Sequence, residues 1–276
     1  MKTSQWEGNQ LPKLTNAQAS LTKIIEVINN LGEKQSLEIP TERALTVYVD
    51  KKEIVTLMTL GAYPEWLVLG YLLNQRLINS ALELESITVD WEVNAAAVKT
   101  YNGIVNLKKK TAKHIVTTGC GQGSMFGNLM DNIADIQLPE STINQSQLYS
   151  IVNTIRINDS VYKSAGSVHG CALFEGESMR VFIEDVGRHN ALDSIAGWMA
   201  IHPEVIHNKV FYTTGRLTSE MIIKAAQMGV PIVISRSGIT EMGYYIAQKL
   251  NLCAIGRATN KRFFCFTAPD RLVLGF

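Results

Sequence analysis

The segment 117–127 has the most informative chemistry in the chain, a cysteine among closely spaced glycines. Cys120 lies between Gly119 and Gly121, and Gly123 follows shortly after. Glycines leave the thiol sterically open and allow backbone angles that other residues avoid. A thiolate held in this way can act as a nucleophile, or as a carrier that meets two partners in turn. An ordinary loop with a buried cysteine would give the same pattern, so the residues alone leave both interpretations open.

The remaining cysteines are Cys171, Cys253 and Cys265, and four in 276 residues do not resemble a disulfide framework. Cys253 and Cys265 lie in apolar runs, which predicts burial as small hydrophobic side chains. Cys171 is less clear because His169 is two positions away. The N-terminus is polar, and no apolar run approaches the roughly 18 residues of a membrane-spanning helix. We therefore expect a cytoplasmic protein without membrane segments.

Two short loops in the second half could bind an anion. Arg216 ends the run Thr213–Arg216, and Ser235 and Arg236 open the run Ser235–Gly238; each run follows a predicted strand and precedes a predicted helix. Such loops direct backbone N–H groups and the positive end of a helix dipole at a ligand, and each adds an arginine. Phosphate-binding loops and ordinary solvated turns both fit this pattern.

A third basic stretch lies between the last two predicted strands, and we expect it to be a loop. Its cations and small polar side chains suit a pyrophosphate, although a solvated turn would have the same composition. Its residues are Arg257, Ala258, Thr259, Asn260, Lys261 and Arg262. The separate cluster Lys108–Lys110 with Lys113 closes a predicted hairpin strand and indicates an exposed charged face.

A polar group also lies among apolar strand residues of the second half. Buried charges are costly unless they are paired, so we expect mutual hydrogen bonds near a cleft. A structural network and a catalytic role both remain open. The group consists of His169, Glu184, Asp185, Arg188 and His189.

The spacing of apolar residues predicts the elements that hold these groups. The first half has a predicted helix over 16–31, two strands within 44–60, a helix from Pro64 to Gln75 and a hairpin around Asn102-Gly103, followed by a strand at 114–118. The second half begins with a helix marked by Leu148, Ile151, Val152 and Ile155, and then alternates. Its predicted strands are 168–174, 179–186, 210–214, 230–235, 253–256 and 263–267, with helices over 189–199, 218–228 and 240–250.

This order predicts a mixed α/β (α+β) protein with parallel strand pairing in a layered second half. We place a domain boundary in the polar segment 138–147. An N-terminal α+β domain over 1–140 would then end in the Cys120 loop, and an α/β domain over 141–276 would bind a cofactor or nucleotide. Hydrophobic residues make up 46% and charged residues 18%, which is enough apolar material for packed cores. The net charge of +1 argues against a general nucleic-acid binder.

The chain resembles the FdhD family, the formate dehydrogenase accessory sulfurtransferases, from about Ile39 to the C-terminus. The resemblance rests on the Cys120 loop, the run Ser167–Gly170, the run Glu184–His189 and the arginine-containing loops that follow. It implies that the second domain is similar to the cytidine deaminase fold. One departure concerns the cysteine loop, where many relatives carry Cys-x-x-Cys and this chain has Gly123 at the second position.

The resemblance implies a sulfur carrier in molybdenum cofactor biosynthesis. Cys120 would hold a persulfide received from a cysteine desulfurase and pass its sulfur to bis-molybdopterin guanine dinucleotide (Mo-bisMGD), which then serves formate dehydrogenase. The stretch 257–262, with Arg216, Ser235 and Arg236, would bind that ligand, and no metal would be held directly by protein side chains. The family also implies a homodimer.

Two other functions stay open. A cofactor-binding chaperone for formate dehydrogenase would need no reactive cysteine, and the missing second cysteine favours it. A zinc hydrolase of the nucleoside deaminase kind would need His-x-Glu and Pro-Cys-x-x-Cys, and the chain has neither motif.

Overall fold

The computed structural model describes residues 9–104, 115–116, 123–124, 133–202, 204 and 206–275. Two larger sheets with separate hydrophobic cores account for most of this part of the chain. The predicted mixed α/β class is therefore confirmed. The domain boundary near residue 140 stays a prediction, as does the similarity to the cytidine deaminase fold.

The N-terminal sheet has five strands in the order β1-β6-β7-β4-β5, with one helix packed against it. Leu45, Val47 and Leu57 point inward from β4 and β5, where they meet Leu69 of the helix and Ile87 of β6. These five side chains are all apolar, and the removal of their surface from water holds the helix against the sheet. The elements are β1 (Lys13–Leu14), β4 (Arg43–Val49), β5 (Lys52–Thr59), α1 (Pro64–Asn74), β6 (Leu84–Asp90) and β7 (Ala95–Thr100).

Two predictions for this half are confirmed. Residues 44–60 form the β4–β5 hairpin, whose turn places Asp50 (φ 47°) and Lys51 (φ 68°) in the left-handed region. Helix α1 begins at Pro64, where the missing N–H costs no hydrogen bond. At the predicted Asn102-Gly103 turn, Gly103 has φ 73° directly after β7, and the second arm of that hairpin lies outside the described residues.

The predicted helix over 16–31 is wrong. This segment contains β2 (Thr22–Ile28), which pairs with β3 (Lys34–Pro40) as a two-stranded antiparallel ribbon. Isoleucine and valine prefer strands because branching at Cβ restricts their side chains in a helix, and their spacing here fitted both periods. Gly32 (φ 82°) lies in the turn of the ribbon rather than at a helix end. Ile24, Ile28 and Leu31 are exposed on the ribbon.

The C-terminal sheet has six strands in the order β12-β11-β13-β14-β15-β16. The neighbours β13, β14 and β15 are parallel, whereas β11, β12 and β16 run antiparallel to the strand beside them. The strands are β11 (His169–Glu175), β12 (Ser178–Asp185), β13 (Lys209–Thr213), β14 (Ile232–Ser235), β15 (Cys253–Thr259) and β16 (Arg262–Cys265).

Helices cover both faces of this sheet and form a three-layer unit. Phe211 faces one core and its neighbour Tyr212 faces the other, as strand alternation requires. The predicted helices and strands of this half are confirmed, with ends shifted by a few residues. The helices are α2 (Gln145–Ile157) and the short α3 (Val161–Ser164), then α4 (Arg188–Ile201), α5 (Ser219–Gln227) and α6 (Glu241–Lys249).

Short strands complete the described chain. β8 (Ile115–Val116) pairs with β9 (Gly123–Ser124), so part of the predicted strand at 114–118 is confirmed. β10 (Ile143–Asn144) pairs with β17 (Leu272–Val273). The lysine cluster at 108–113 lies outside the described residues. Among the helices that the structure describes, none has the length and apolar character needed to cross a membrane.

Helices α1 and α4 cross in direct backbone contact and so join the two cores. A Cβ added to Gly70 would overlap the carbonyl oxygen of Asp193, and one added to Gly197 would overlap the carbonyl oxygen of Trp66. Glycine is required at both positions because no side chain fits between the helices. Beside the crossing, the amide of Asn74 donates to the carboxylate of Asp193 at 2.7 Å.

We expect Gly70→Ala and Gly197→Ala each to lower the free energy of unfolding by about 3 kcal/mol or more, because a methyl group forces the helices apart. This loss exceeds the gain of about 1 kcal/mol that alanine brings to a helix. Urea denaturation followed by circular dichroism measures it. Gly238→Ala is the matched control, since nothing lies within 4 Å of its added Cβ. Equal midpoints for all three variants would contradict the tight crossing.

Candidate functional site

Polar residues converge at one edge of the C-terminal sheet. The parallel strands β13 and β14 end there at Thr213 and Ser235, and the antiparallel β11 begins there at His169. β12 ends at the same edge with Glu184 and Asp185. The topology therefore gathers groups that are far apart in sequence, as is typical of ligand sites at strand ends.

A cavity of about 310 Å³ opens at this edge on the α2 side of the sheet. Its floor is apolar and aromatic, with Phe182 and Tyr212 from the strands and Tyr162 from α3. The lining also carries cations and one carboxylate. The charged residues that line it are Arg156, Lys163, Arg236 and Glu184. An apolar floor with a few convergent polar groups is the usual form of a small-molecule site.

Glu184 orders one wall of this cavity. Its carboxylate accepts hydrogen bonds from the backbone N–H groups of Val161 (2.6 Å) and Tyr162 (3.1 Å), which begin α3. Burial raises the pKa of Glu184, and these two hydrogen bonds oppose that shift. A hydrogen bond from the Ser160 side chain opposes it as well. Burial likewise raises the pKa of Tyr212 to about 12, so its hydroxyl stays protonated.

Four residues of the predicted ligand set line the cavity. They are Arg236, Ala258, Thr259 and Asn260. The guanidinium carbon of Arg236 lies 5.9 Å from the centre of the Tyr162 ring. Ala258 is buried in the wall, and Thr259 and Asn260 are exposed at the end of β15.

The other five members are placed elsewhere. Arg216 is exposed in the loop after β13, and its charge reaches His169. Arg257, Lys261 and Arg262 are exposed but are not among the lining residues. Ser235 is fully buried, and its hydroxyl donates to the Gly215 carbonyl at 2.6 Å.

The expected loop over 257–262 is wrong in extent. Arg257 and Thr259 belong to β15, Arg262 begins β16, and the turn is limited to residues 260–261. Arg257 has φ 51° at an irregularity in the β15–β16 ladder, and its N–H donates to the Ser237 carbonyl at 2.6 Å. The strands continue further than expected because β15 and β16 pair up to Thr259 and Arg262.

The loops that follow β13 and β14, residues 214–218 and 236–240, are bonded to each other, and we call them the paired loops. Leu217 N–H donates to the Gly238 carbonyl (2.9 Å), and Thr240 N–H donates to the Leu217 carbonyl (3.0 Å). The Ser235 hydroxyl also accepts from Ser237 N–H at 2.9 Å. Ser235 therefore positions the paired loops.

The predicted polar group divides into separate networks. Asp185 joins the two sheets, because its carboxylate accepts from the Thr59 hydroxyl (2.5 Å), Leu60 N–H (3.1 Å) and the Asn190 amide (2.8 Å). His169 is half-buried, and burial lowers its pKa, with Arg188 and Arg216 adding to the effect. The hydrogen bonds of Asp185 thus run to other elements, while the charge of Arg188 acts on both His169 and His189.

His189 belongs to a buried charge network on α4 and α5. Its Nδ1 lies 3.4 Å from Glu220, and Lys224 contacts both Glu220 (3.2 Å) and Asp193 (2.9 Å). Burial lowers the pKa of His189 to about 3, so the imidazole is neutral, with Nδ1 on the side that faces the carboxylate. Its Nε2 is buried without a hydrogen-bond partner in the described chain.

The cysteines differ in their surroundings. Cys120 lies outside the described residues, in sequence between β8 and β9, and Gly123 pairs with Val116. Cys171 is fully buried, and burial raises its pKa to about 12, which makes it an unreactive thiol. Among the described residues, no group of three His, Cys, Asp or Glu side chains is placed to hold a metal ion.

Sequence reasoning missed most of the cavity lining. Tyr162, Phe182, Tyr212, Arg156 and Lys163 come from four elements that meet only in the folded chain. Strand alternation could have placed Tyr212 and Phe182 on one face of the sheet. The local signal for α3 is its N-cap Ser160, whose hydroxyl accepts from the Lys163 N–H at 3.3 Å, but the helix has four residues and Glu184 also binds its first turn.

Comparison with known proteins finds a matching family and relatives that are similar over most of their length. The model of the FdhD/NarQ family matches residues 40–273. The sulfur carrier protein FdhD of Bacillus subtilis (strain 168) is 30% identical over 244 residues, which is 87% of this chain and 93% of that protein. The sulfur carrier protein FdhD of Staphylococcus aureus (strain MRSA252) is 29% identical over 234 residues, 84% of this chain and 88% of that protein.

A solved structure has the same fold. The crystal structure of a protein from Desulfotalea psychrophila, described as a formate dehydrogenase accessory protein, superposes with a TM-score of 0.75. The match covers 92% of this chain and 100% of that chain, at 24% sequence identity.

The buried imidazole predicts a pH dependence of stability. Because the pKa of His189 is about 3 in the folded chain and about 6.5 when unfolded, the unfolded chain binds the proton more tightly. The free energy of unfolding should therefore fall as the pH is lowered from about 6.5, by up to about 1.4 kcal/mol per pH unit. Urea denaturation at pH values between about 7 and 5 measures this fall.

His189→Gln should flatten that pH profile, since glutamine has no proton to gain. His207→Gln is the matched control, because His207 is exposed and should leave the slope unchanged. Any contribution from His169 remains in both variants. Parallel profiles for His189→Gln and the unmodified protein would contradict the assignment.

Proposed function

The chain belongs to the FdhD/NarQ family. We propose that it is a sulfur carrier that takes persulfide sulfur from a cysteine desulfurase. It transfers that sulfur to Mo-bisMGD, its substrate, for use by formate dehydrogenase. The observation that carries the proposal is the extent of the family match. Residues 40–273 include Cys120 together with every residue that lines the cavity. Relatives named sulfur carrier protein support the general role, and the accessory protein with the same fold supports formate dehydrogenase as the client.

The sulfur step needs a single thiolate. The Cys120 thiolate attacks the terminal sulfur of the desulfurase persulfide, the S–S bond breaks, and the desulfurase leaves as its own thiolate. In delivery the S–S bond of the Cys120 persulfide breaks and Cys120 leaves as the thiolate, while the terminal sulfur bonds to the substrate in its reduced state and takes two electrons from it to reach the sulfide level. No second cysteine takes part, so Gly123 in place of a cysteine is compatible with this cycle.

The cavity suits the guanine nucleotide end of the substrate. Tyr162 and Phe182 offer flat apolar surface for a base, and guanine carries an exocyclic amino group that can donate to Glu184. Arg236, Arg156 and Lys163 supply charge for phosphate groups. The volume of about 310 Å³ is within the usual range for a small ligand and leaves the pterin part outside.

Protein partners complete the proposal: the cysteine desulfurase, formate dehydrogenase and a second copy of this chain. The aliphatic side chains of Ile24, Ile28 and Leu31 on the β2–β3 ribbon support a protein contact, because their exposed area would be removed from water there. We propose a cytoplasmic location, where a desulfurase and its thiol chemistry are available.

Loss of the thiol should abolish sulfur loading. After incubation with a cysteine desulfurase, L-cysteine and pyridoxal phosphate, intact mass should show one added sulfur on the unmodified protein and none on Cys120→Ala. Cys171→Ala is the matched control and should load normally, since its thiol is fully buried. If Cys120→Ala gained as many sulfur atoms as the unmodified protein, the sulfur-carrier role of Cys120 would be contradicted.

The chaperone alternative makes the opposite prediction for a downstream measurement. If the chain binds the cofactor without carrying sulfur, Cys120→Ala should leave cofactor sulfuration and formate dehydrogenase activity unchanged. The missing second cysteine is the observation that keeps this alternative open. Under the sulfur-carrier proposal both readouts fall.

Nucleotide binding should depend on Arg236 in the cavity lining. We expect Arg236→Ala to weaken GDP binding about tenfold or more, because a charge-assisted hydrogen bond to phosphate contributes about 1.5–3 kcal/mol. Isothermal titration calorimetry with GDP measures the change. Arg262→Ala is the matched control, since Arg262 is outside the lining. Equal losses for both variants would favour general charge attraction over the cavity.

A further inference from the structure

Two cysteines on neighbouring strands lie close together, away from the Cys120 segment in sequence. Cys253 begins β15 and Cys265 ends β16, and their sulfur atoms are 3.9 Å apart. The register explains this contact. Cys265 pairs with Ile255, and Cys253 points to the same face of β15 two residues earlier, so the two side chains are diagonal neighbours.

The two thiols are not equivalent. Cys253 is fully buried, whereas Cys265 is partly exposed. Cys265 can donate its hydrogen to the Thr267 carbonyl at 3.4 Å and accept the hydrogen of Cys253. The hydrogen bond from Cys253 lowers the pKa of Cys265, and the same contact, with burial, raises the pKa of Cys253. Cys265 is therefore the nucleophile of the pair, with the second sulfur beside it.

We propose that Cys253 and Cys265 form a dithiol that oxidises reversibly to an intramolecular disulfide by exchange with a low-molecular-weight disulfide. The Cys265 thiolate attacks one sulfur of the small disulfide and releases one small thiolate. Cys253 then loses its proton to that thiolate and attacks the Cys265 sulfur, which releases the second small thiolate. Two electrons leave the cysteine pair and reduce the small disulfide to two thiols.

The geometry leaves a limited movement for bond formation. The sulfur atoms must close from 3.9 Å to about 2.05 Å. The chain beyond Cys265 stays bonded to β15, because the Phe266 N–H donates to the Ala254 carbonyl at 2.8 Å, so rotation of the two cysteine side chains must supply most of this movement. Cys171 offers a comparison within the same protein: its thiol donates to the Thr213 hydroxyl at 3.3 Å and is fully buried.

The bond would close the open end of the β15–β16 hairpin. The other end of that hairpin carries Thr259 and Asn260, which line the cavity. Oxidation would thus couple the redox state of the two thiols to the wall that holds part of the proposed ligand site. The pair itself does not depend on the proposed function, since its evidence is the contact between the two sulfur atoms.

The test is incubation of the reduced full-length protein with glutathione disulfide, followed by non-reducing proteolysis and mass spectrometry. We expect a cross-linked peptide pair containing Cys253 and Cys265 that has lost two hydrogens, and its disappearance after treatment with dithiothreitol. Cys120 and Cys171 serve as internal references in the same digest. Glutathione on Cys265 with Cys253 still free, or a cross-link from either residue to another cysteine, would overturn the proposal.

Two single variants separate the roles of the thiols. Cys253→Ala should stop at the mixed disulfide, with glutathione retained on Cys265. Cys265→Ala should leave Cys253 unmodified because it is buried. Modification of Cys253 at the wild-type rate in Cys265→Ala would contradict the assigned order. The peptide analysis of the unmodified protein decides the proposal even where a variant fails to fold.

Discussion

The backbone contact between α1 and α4 is the constraint on which the arrangement of the two cores depends. At Gly70 and Gly197 the helices approach so closely that a side chain on either would occupy the backbone of the other. Since α1 covers the N-terminal sheet and α4 covers the C-terminal sheet, the crossing sets how the sheets face each other. Asn74 and Asp193 extend it by a buried hydrogen bond. Asp185 adds a second connection at the edge where the cavity opens. The cavity lies near this edge, but its lining comes from the C-terminal half, on the face of the sheet that α2 covers.

Charge burial beside this crossing follows from the same close packing. Lys224 is fully buried and has two carboxylate partners, Asp193 and Glu220. Taking such charges out of water costs several kcal/mol per ion, so the cluster is tolerated because each member has opposite charge or a hydrogen bond nearby. His189 stays neutral and completes the cluster without adding a further cation. Such a network defines how α4 and α5 fit together more than it adds to net stability.

Sequence reasoning succeeded where one local rule decided the structure. Pro64 predicted the start of α1, and the helical spacing of Leu148 to Ile155 predicted α2. It failed over 16–31, because isoleucines there satisfied both periods and only pairing with β3 decides between them. The basic stretch at 257–262 was expected to be a loop, and strand pairing shortened it to a two-residue turn. The cavity was not predictable, since its lining comes from several elements brought together by sheet order. The role that we propose for Cys120 rests on the family resemblance, because the residues alone left it open.

The bonding between the paired loops has a consequence for ligand exchange. Ser235 and the backbone bonds at Leu217 and Thr240 make the two loops one body, and Arg257 joins it through Ser237. The backbone at this edge is already ordered in the folded chain, so a ligand that binds there causes little further loss of backbone entropy. Association would then be limited by the rotamers of long side chains such as Arg236 rather than by loop closure. Such a wall favours rapid capture, because binding requires no ordering of the loops.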